Sequence, residues 1–162
     1  MLGRDPDASM SEIAEASGLT RTTVYRHFPS REHLARALFE QVVAEAGARV
    51  EAIVAEDLEP AALLRRVAVM AVELGDRYRF LDGHPELIAE QRRTDLPDEP
   101  LRRWGERAAA AGHLRAGVTP AWLVGAVSAL AVAAFEEVRA GRASLAAAGA
   151  ELGDTLVAAF LV

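Results

Sequence analysis

Residues 11–34 read Ser11-Glu12-Ile13-Ala14-Glu15-Ala16-Ser17-Gly18-Leu19-Thr20-Arg21-Thr22-Thr23-Val24-Tyr25-Arg26-His27-Phe28-Pro29-Ser30-Arg31-Glu32-His33-Leu34. Just ahead of them, Ser9-x-x-Glu12 forms a capping box, which starts a short helix through Ile13 and Ala16. Gly18 suits the left-handed position that closes such a helix. Thr20 caps a second short helix, Arg21 to His27, and Pro29 ends it because the residue before proline disfavours helical torsions. Ser30 caps a third. The spacing Ile13-Ala14-x-x-x-Gly18-Leu19 followed by Thr20 to Tyr25 is that of a helix-turn-helix. Ala14 is small where the two helices cross, Gly18 permits the turn, and Ile13, Leu19 and Val24 are expected to fill the shared core. The second helix then presents Arg21, Thr22, Thr23 and Arg26 outwards, side chains able to reach base edges or phosphates in a major groove.

The surrounding 162 residues are 51% hydrophobic and 26% charged, enough for a sizeable core and too apolar for a disordered chain. Alanine is roughly a fifth of the chain and strand formers are few, so the expected class is all-α. With no cysteine, disulfides, thiolate metal sites and cysteine nucleophiles are excluded, and a cytoplasmic location fits. All 18 basic residues are arginine, which a GC-rich coding sequence would explain without any functional meaning.

Net charge is −6, but it is unevenly spread. Residues 19–36 carry Arg21, Arg26, Arg31 and Arg36 against Glu32 alone, a local +3, whereas residues 41–162 carry 13 arginines against 18 acids. A basic head on an acidic body fits a protein that touches phosphate at one end; a chance cluster of solvated arginines is the plainer reading. An enzyme is disfavoured. His27, His33, His84 and His113 form no metal-ligand pair, and the chain holds neither Gly-x-Ser-x-Gly nor a phosphate-binding glycine loop. No cofactor and no metal are expected.

Periodicity extends the third helix through Leu34, Leu38 and Val42, then Phe39, Val43, Ala46, Val50 and Ile53, fading near Asp57 to Pro60. Leu63, Val67, Met70, Ala71, Leu74, Tyr78 and Leu81 trace one face of the next. A loop at Asp82 to Pro85, a short helix from Glu86 to Arg92 and a loop from Asp95 to Pro100 follow. Leu101, Trp104, Ala108 and Ala111 mark a further helix closed by Gly112. Thr119 caps another, with Pro120 in its first turn, running to about Ala140; Ser144 caps the last. Ala121 to Phe135 is too short a run for a membrane span, which needs about 20 strongly apolar residues, so a buried core helix is expected and no membrane partner. Gly125, Ala129 and Ala133 form one small-residue row and Gly149 and Gly153 another, permitting close helix approach. That approach serves self-association through the last two helices (about 120–140 and 144–161) or packing within one chain.

The extended pattern, above all the tail from Tyr25 to Leu34 (Tyr-x-x-Phe-Pro-Ser-basic-Glu-x-Leu), closely resembles the DNA-binding signature of TetR-family transcriptional regulators. The likeness is strong over residues 9–40; beyond them it rests on helix count and on the Gly112-His113-Leu114-Arg115…Thr119-Pro120 loop. It implies an all-α homodimer, with a helix-turn-helix DNA-binding domain at 1–40 and a helical-bundle ligand-binding and dimerisation domain at 41–162. It implies a palindromic double-stranded DNA operator, a small-molecule effector that releases it, and, as the family's usual behaviour, repression. Thr20 to Thr23 and Arg26 become groove candidates. Tyr25, His27 and Arg31 match positions that touch phosphate, and Ser9 sits at a helix N-terminus where amides can receive one. Arg31 stands where the family has Lys, keeping charge but changing hydrogen-bond geometry. The rival is a helical ligand-binding or interaction bundle without functional DNA binding.

For the effector, Met70, Tyr78, Trp104, Trp122 and Phe135 are large residues on apolar faces, suited to a mostly apolar pocket or equally to core packing. Glu73 and Arg77, spaced i,i+4, read as a polar pair in that pocket or a surface salt bridge; Arg103, Arg107 and His113 are similar. The family also places a helix ahead of the helix-turn-helix, and Met1 to Pro6 reads as its tail. A start upstream, trimming or a naturally short chain would each account for that. Without such a helix, apolar surface over Ile13, Val24 and Phe28 worth a few kcal/mol, at about 25 cal/mol per Å², is expected to be exposed, loosening the head and weakening DNA binding.

Overall fold

The computed structural model describes residues 8–78, 84, 86–87 and 99–162. Among these, regular structure is helical throughout, apart from an isolated bridge between Leu114 and Leu161. The helices are α1 Met10–Ala16, α2 Arg21–His27, α3 Arg31–Ala55, α4 Pro60–Arg77, α5 Pro100–Ala110, α6 Pro120–Arg139 and α7 Leu145–Phe160. The chain forms two compact units, Met1–Ala44 with Asp76–Thr94, and Glu45–Gly75 with Asp95–Val162. The expected division at residue 40 therefore stands beside an observed one at Ala44, with a second stretch clustering with the first unit.

Local chemistry accounts for the helix ends. Ser9 accepts from the Glu12 N–H while the Glu12 carboxylate accepts from the Ser9 N–H at 2.7 Å, so the capping box forms in both directions. Behind α1, Gly18 takes φ +66°, its N–H reaching the Glu15 carbonyl and the Leu19 N–H the Ala14 carbonyl. That pair of bonds satisfies carbonyls the helix leaves open, and only glycine adopts the torsion at no steric cost. Thr20, Thr119 and Ser144 cap α2, α6 and α7 as their positions predict. One boundary moves. Pro100, expected in a loop, is the first residue of α5, where a missing N–H costs nothing, and Glu99 accepts from the N–H groups of Leu101 and Arg102.

In the first unit, Ala8, Met10, Ile13, Ala14, Val24 and Leu34 form a buried cluster, with Phe28 and Leu38 packed against it. Leu19 is not part of it. It is 50% exposed, because the turn that closes α1 commits its backbone and carries its side chain outwards. A second cluster joins Ala35 and Leu87 with Leu38, Phe39, Val42 and Tyr78. Tyr78 lies in the turn after α4 rather than on its face. Leu81, most of the loop expected at Asp82 to Pro85, the remainder of the short helix expected from Glu86 to Arg92, and Asp95 to Asp98 lie outside the described residues, as does Met1 to Asp7.

In the second unit α4 is buried on more than one face: Leu63, Leu64, Val67, Ala68, Met70, Val72 and Leu74 are all enclosed. The single stripe read from the sequence therefore understates its contacts. Helix α7 lies close against it, since a Cβ on Gly149 would stand 3.1 Å from the Val69 Cα and one on Gly153 3.0 Å from the Arg65 Cα. This second small-residue row is used within the chain. Arg65–Asp154 (2.9 Å) also joins α4 to α7, Arg66–Glu56 (2.9 Å) joins α4 to the end of α3, and Arg103 pairs with Glu51. Such exposed pairs are worth about 0–1 kcal/mol each, so apolar packing carries the unit. The last residues are clamped: the Arg115 N–H donates to the Phe160 carbonyl (2.9 Å), the Val162 N–H to His113 (3.1 Å) and the Arg115 Nε to Leu161 (2.8 Å).

Helix α6 departs from expectation. Leu123, Ala126, Val127 and Phe135 are buried, but only 22% of its apolar span is covered by the chain. It is not a buried core helix, although it is long and apolar enough to cross a membrane by length and composition. The row Gly125, Ala129 and Ala133 lies exposed, and nothing comes within 4 Å of a Cβ built on Gly125.

Candidate nucleic-acid interface

Val24 is the one buried residue of α2, and it fixes which way the helix faces. With a 100° turn per residue, positions 22 and 26 point about 160° from Val24, position 25 about 100° and position 21 about 60°. Arg21, Thr22, Tyr25 and Arg26 are indeed exposed, Tyr25 by 46%. Neither Arg21 nor Arg26 has an ion-pair partner among the described residues, and α2 carries no acid. The outcome is a short helix with two uncommitted guanidinium groups, a hydroxyl and a phenol on one face.

The neighbouring candidates are more engaged. The Thr20 Oγ1 accepts from the Thr23 N–H (3.2 Å) and lies 2.9 Å from the Thr23 Oγ1, so these hydroxyls pre-shape the helix start. Thr23 is half-buried as a result. His27 is exposed, its ring tilted against Phe28 with centroids 6.4 Å apart. Arg31 is half-buried and donates to the Ala8 carbonyl, tying the entry of α1 to the start of α3. Ser9 is exposed, but its N–H and hydroxyl are both taken by Glu12. Those hydrogen bonds, the hydroxyl's first, hold the Glu12 carboxyl below its ordinary value, so a negative charge stands at the end of α1 offered to phosphate. At the start of α3 the Ser30 hydroxyl likewise lowers the Glu32 carboxyl and bonds the His33 Nδ1 at 3.0 Å.

The residues expected to line an effector pocket have different local surroundings. Met70, Trp104 and Phe135 are buried in the second unit on α4, α5 and α6, with the Phe135 ring 3.2 Å from where a Cβ on Gly75 would stand. Glu73 and Arg77 are exposed on α4, and Tyr78 packs with the first unit's Leu87 cluster. Trp122 is 62% exposed. A groove between α6 and α7 was not foreseen. Its walls include Leu130, Ala133, Ala134, Leu152 and Thr155, and its only hint in the sequence was the small-residue row containing Ala133.

Residues 4–38 match the family described as bacterial regulatory proteins, tetR family. The chain is 30% identical over 144 residues to the HTH-type transcriptional repressor LfrR of Mycolicibacterium smegmatis, covering 87% of this chain and 75% of that one. It is 40% identical over 87 residues to an uncharacterised HTH-type transcriptional regulator of Mycobacterium tuberculosis, covering 53% of this chain and 40% of the relative. Among solved structures, the TetR-like regulator LfrR from Mycobacterium smegmatis in complex with proflavine superposes with a TM-score of 0.72 at 27% identity, covering 100% of this chain and 91% of that one. Sequence kinship over most of its length and an exposed, cationic second helix lead to one conclusion: the chain belongs to the TetR family of transcriptional regulators, with α1 and α2 as its DNA-binding helix-turn-helix.

Proposed function

We propose that the protein is a ligand-responsive repressor that binds a palindromic operator as a homodimer. The observation that carries this is the α2 face, where Arg21, Thr22, Tyr25 and Arg26 stand exposed without acidic neighbours on the helix. Arg21 and Arg26 are assigned to phosphate or guanine, Thr22 to a base edge, and Tyr25, His27 and Arg31 to the backbone. Thr20 and Thr23 set the helix start, and Ser9 contributes through its cap. TetR-family regulators bind DNA as dimers, and two recognition helices about 34–36 Å apart meet successive major grooves. Such a protein works in the cytoplasm, where the chromosome is.

The effector reading rests on kinship. The relative LfrR is named a repressor and is seen with proflavine. Met70, Trp104 and Phe135, large and buried on three helices of the second unit, are proposed to line the effector space. An effector that favours one head spacing over the other shifts the population in proportion to its differential affinity. Helix α3 contributes to both units and is the proposed lever.

The test is selection of genomic fragments by the purified protein at low and moderate salt. Enrichment of one palindrome, bound less tightly as salt rises and released by a flat aromatic dye such as proflavine, supports the proposal. Absence of enrichment at either salt refutes it and leaves a helical bundle without DNA function.

A further inference from the structure

Helix α6 leaves one face exposed, and a groove opens beside it against α7. From this, and resting on the homodimer proposed above, we infer that Trp122 of each protomer seats in the α6–α7 groove of its partner. Trp122 is 62% exposed, and the indole N–H has no partner among the described residues. The groove is open, with a volume of about 220 Å³ and walls formed by Leu130, Ala133, Ala134, Leu152 and Thr155. Glu151 also lines it and has no ion-pair partner among the described residues. An apolar ring carrying one donor thus meets a mainly apolar slot in which the Glu151 carboxylate and the Thr155 hydroxyl can accept. The other acid of the lining, Glu137, is already committed to Arg142 at 2.7 Å.

Register supports the match. Gly125, Ala129 and Ala133 recur every fourth residue on the uncovered face, so two antiparallel copies of α6 approach most closely around Ala129. Trp122 lies seven residues before that point, about 10 Å along the axis, and faces the partner's level seven residues after it. That level is Glu136, within the Leu130–Glu137 stretch that forms the groove's α6 wall. Area supports it too. Helices of 20 and 16 residues are about 30 and 24 Å long and pack about 10 Å apart, presenting roughly 500–600 Å² in projection. A corrugated face of that size offers an accessible area comparable with the roughly 800 Å² per partner of a stable interface. The same contact is made twice, as an isologous interface requires, and it removes Trp122 from the effector pocket.

The experiment is sedimentation equilibrium of the full chain and three preparations: Trp122→Ala, Thr155→Phe, which fills the groove from an exposed position, and an equimolar mixture of the two. Wild type is expected to be dimeric. Each variant alone should keep its helical circular dichroism while its dimer dissociation constant rises on the order of 100-fold or more, as loss of two buried Trp anchors implies. The mixture should recover part of that loss, because the intact Trp122 of one copy meets the intact groove of the other. A wild-type dimer undisturbed by Trp122→Ala overturns the inference and leaves the dimeric regulator standing. Weakening by both variants without rescue on mixing overturns the groove as acceptor. A wild type that stays monomeric at all concentrations overturns the homodimer on which both depend.

Discussion

Replacing Gly153 by alanine tests the close approach of α4 and α7. The new Cβ would lie 3.0 Å from both the Cα and the Cγ of Arg65. The side-chain atom can swing away, but the Cα belongs to a helix whose opposite face is locked by Leu63, Leu64 and Val67, so relief requires the helices to separate. Overpacking of this kind costs about 1–3 kcal/mol. Alanine recovers about 1 kcal/mol of helix propensity over glycine, leaving a net loss of about 1 kcal/mol. Gly47→Ala is the control: it also lies inside a helix, and nothing stands within 4 Å of its Cβ. It should stabilise by about 1 kcal/mol, since the propensity gain is unopposed. For a chain of this size 1 kcal/mol moves Tm by about 2–4 °C, so the two variants should shift in opposite directions by about 3 °C each. Thermal denaturation followed by circular dichroism reads both. If Gly153→Ala melts at or above Gly47→Ala, the argument from close helix approach is wrong.

Arg21→Ala should weaken DNA binding across all sequences and reduce the slope of log affinity against log salt by about 1, read by anisotropy over a salt series. The Glu12 carboxyl should titrate below its ordinary value of 4.5, as carbon-detected NMR will show. Because its folded pKa is the lower one, its contribution to the α1 cap is complete above the unfolded value and is lost as pH falls through the folded one; Glu12→Gln should abolish that acid-dependent fraying. Arg115→Ala removes the Nε bond to Leu161 and should cost about 1 kcal/mol, with the Val162 amide exchanging faster while the helix-turn-helix is unaffected.

Helix ends were the most legible feature, because their chemistry is local. Ser9 with Glu12, Gly18, Thr20, Thr119 and Ser144 each act within three or four residues, and every one stands where its type and spacing place it. The face of α2 was legible for the same reason, since one buried valine orients seven residues. Coverage by distant segments was not. Leu19 is apolar and adjacent to the core in sequence, yet the backbone bond of its amide to Ala14 leaves its side chain in solvent. Periodicity cannot say whether an apolar face meets the chain itself or another copy, so α6 read as a core helix. Likewise the bond from Arg31 to the Ala8 carbonyl joins residues 23 apart, a partner that local spacing does not reveal.

Sequence-specific DNA binding by α2 can be read by competition between duplexes. Wild type bound to its selected duplex at moderate salt is challenged with the same duplex and with one whose half-sites are scrambled at constant composition. The protein should prefer the intact site on the order of 10³-fold or more, and lose that preference when Thr22 and Arg26 are both replaced by alanine. Equal competition by the two duplexes, with wild type folded and bound, would contradict it.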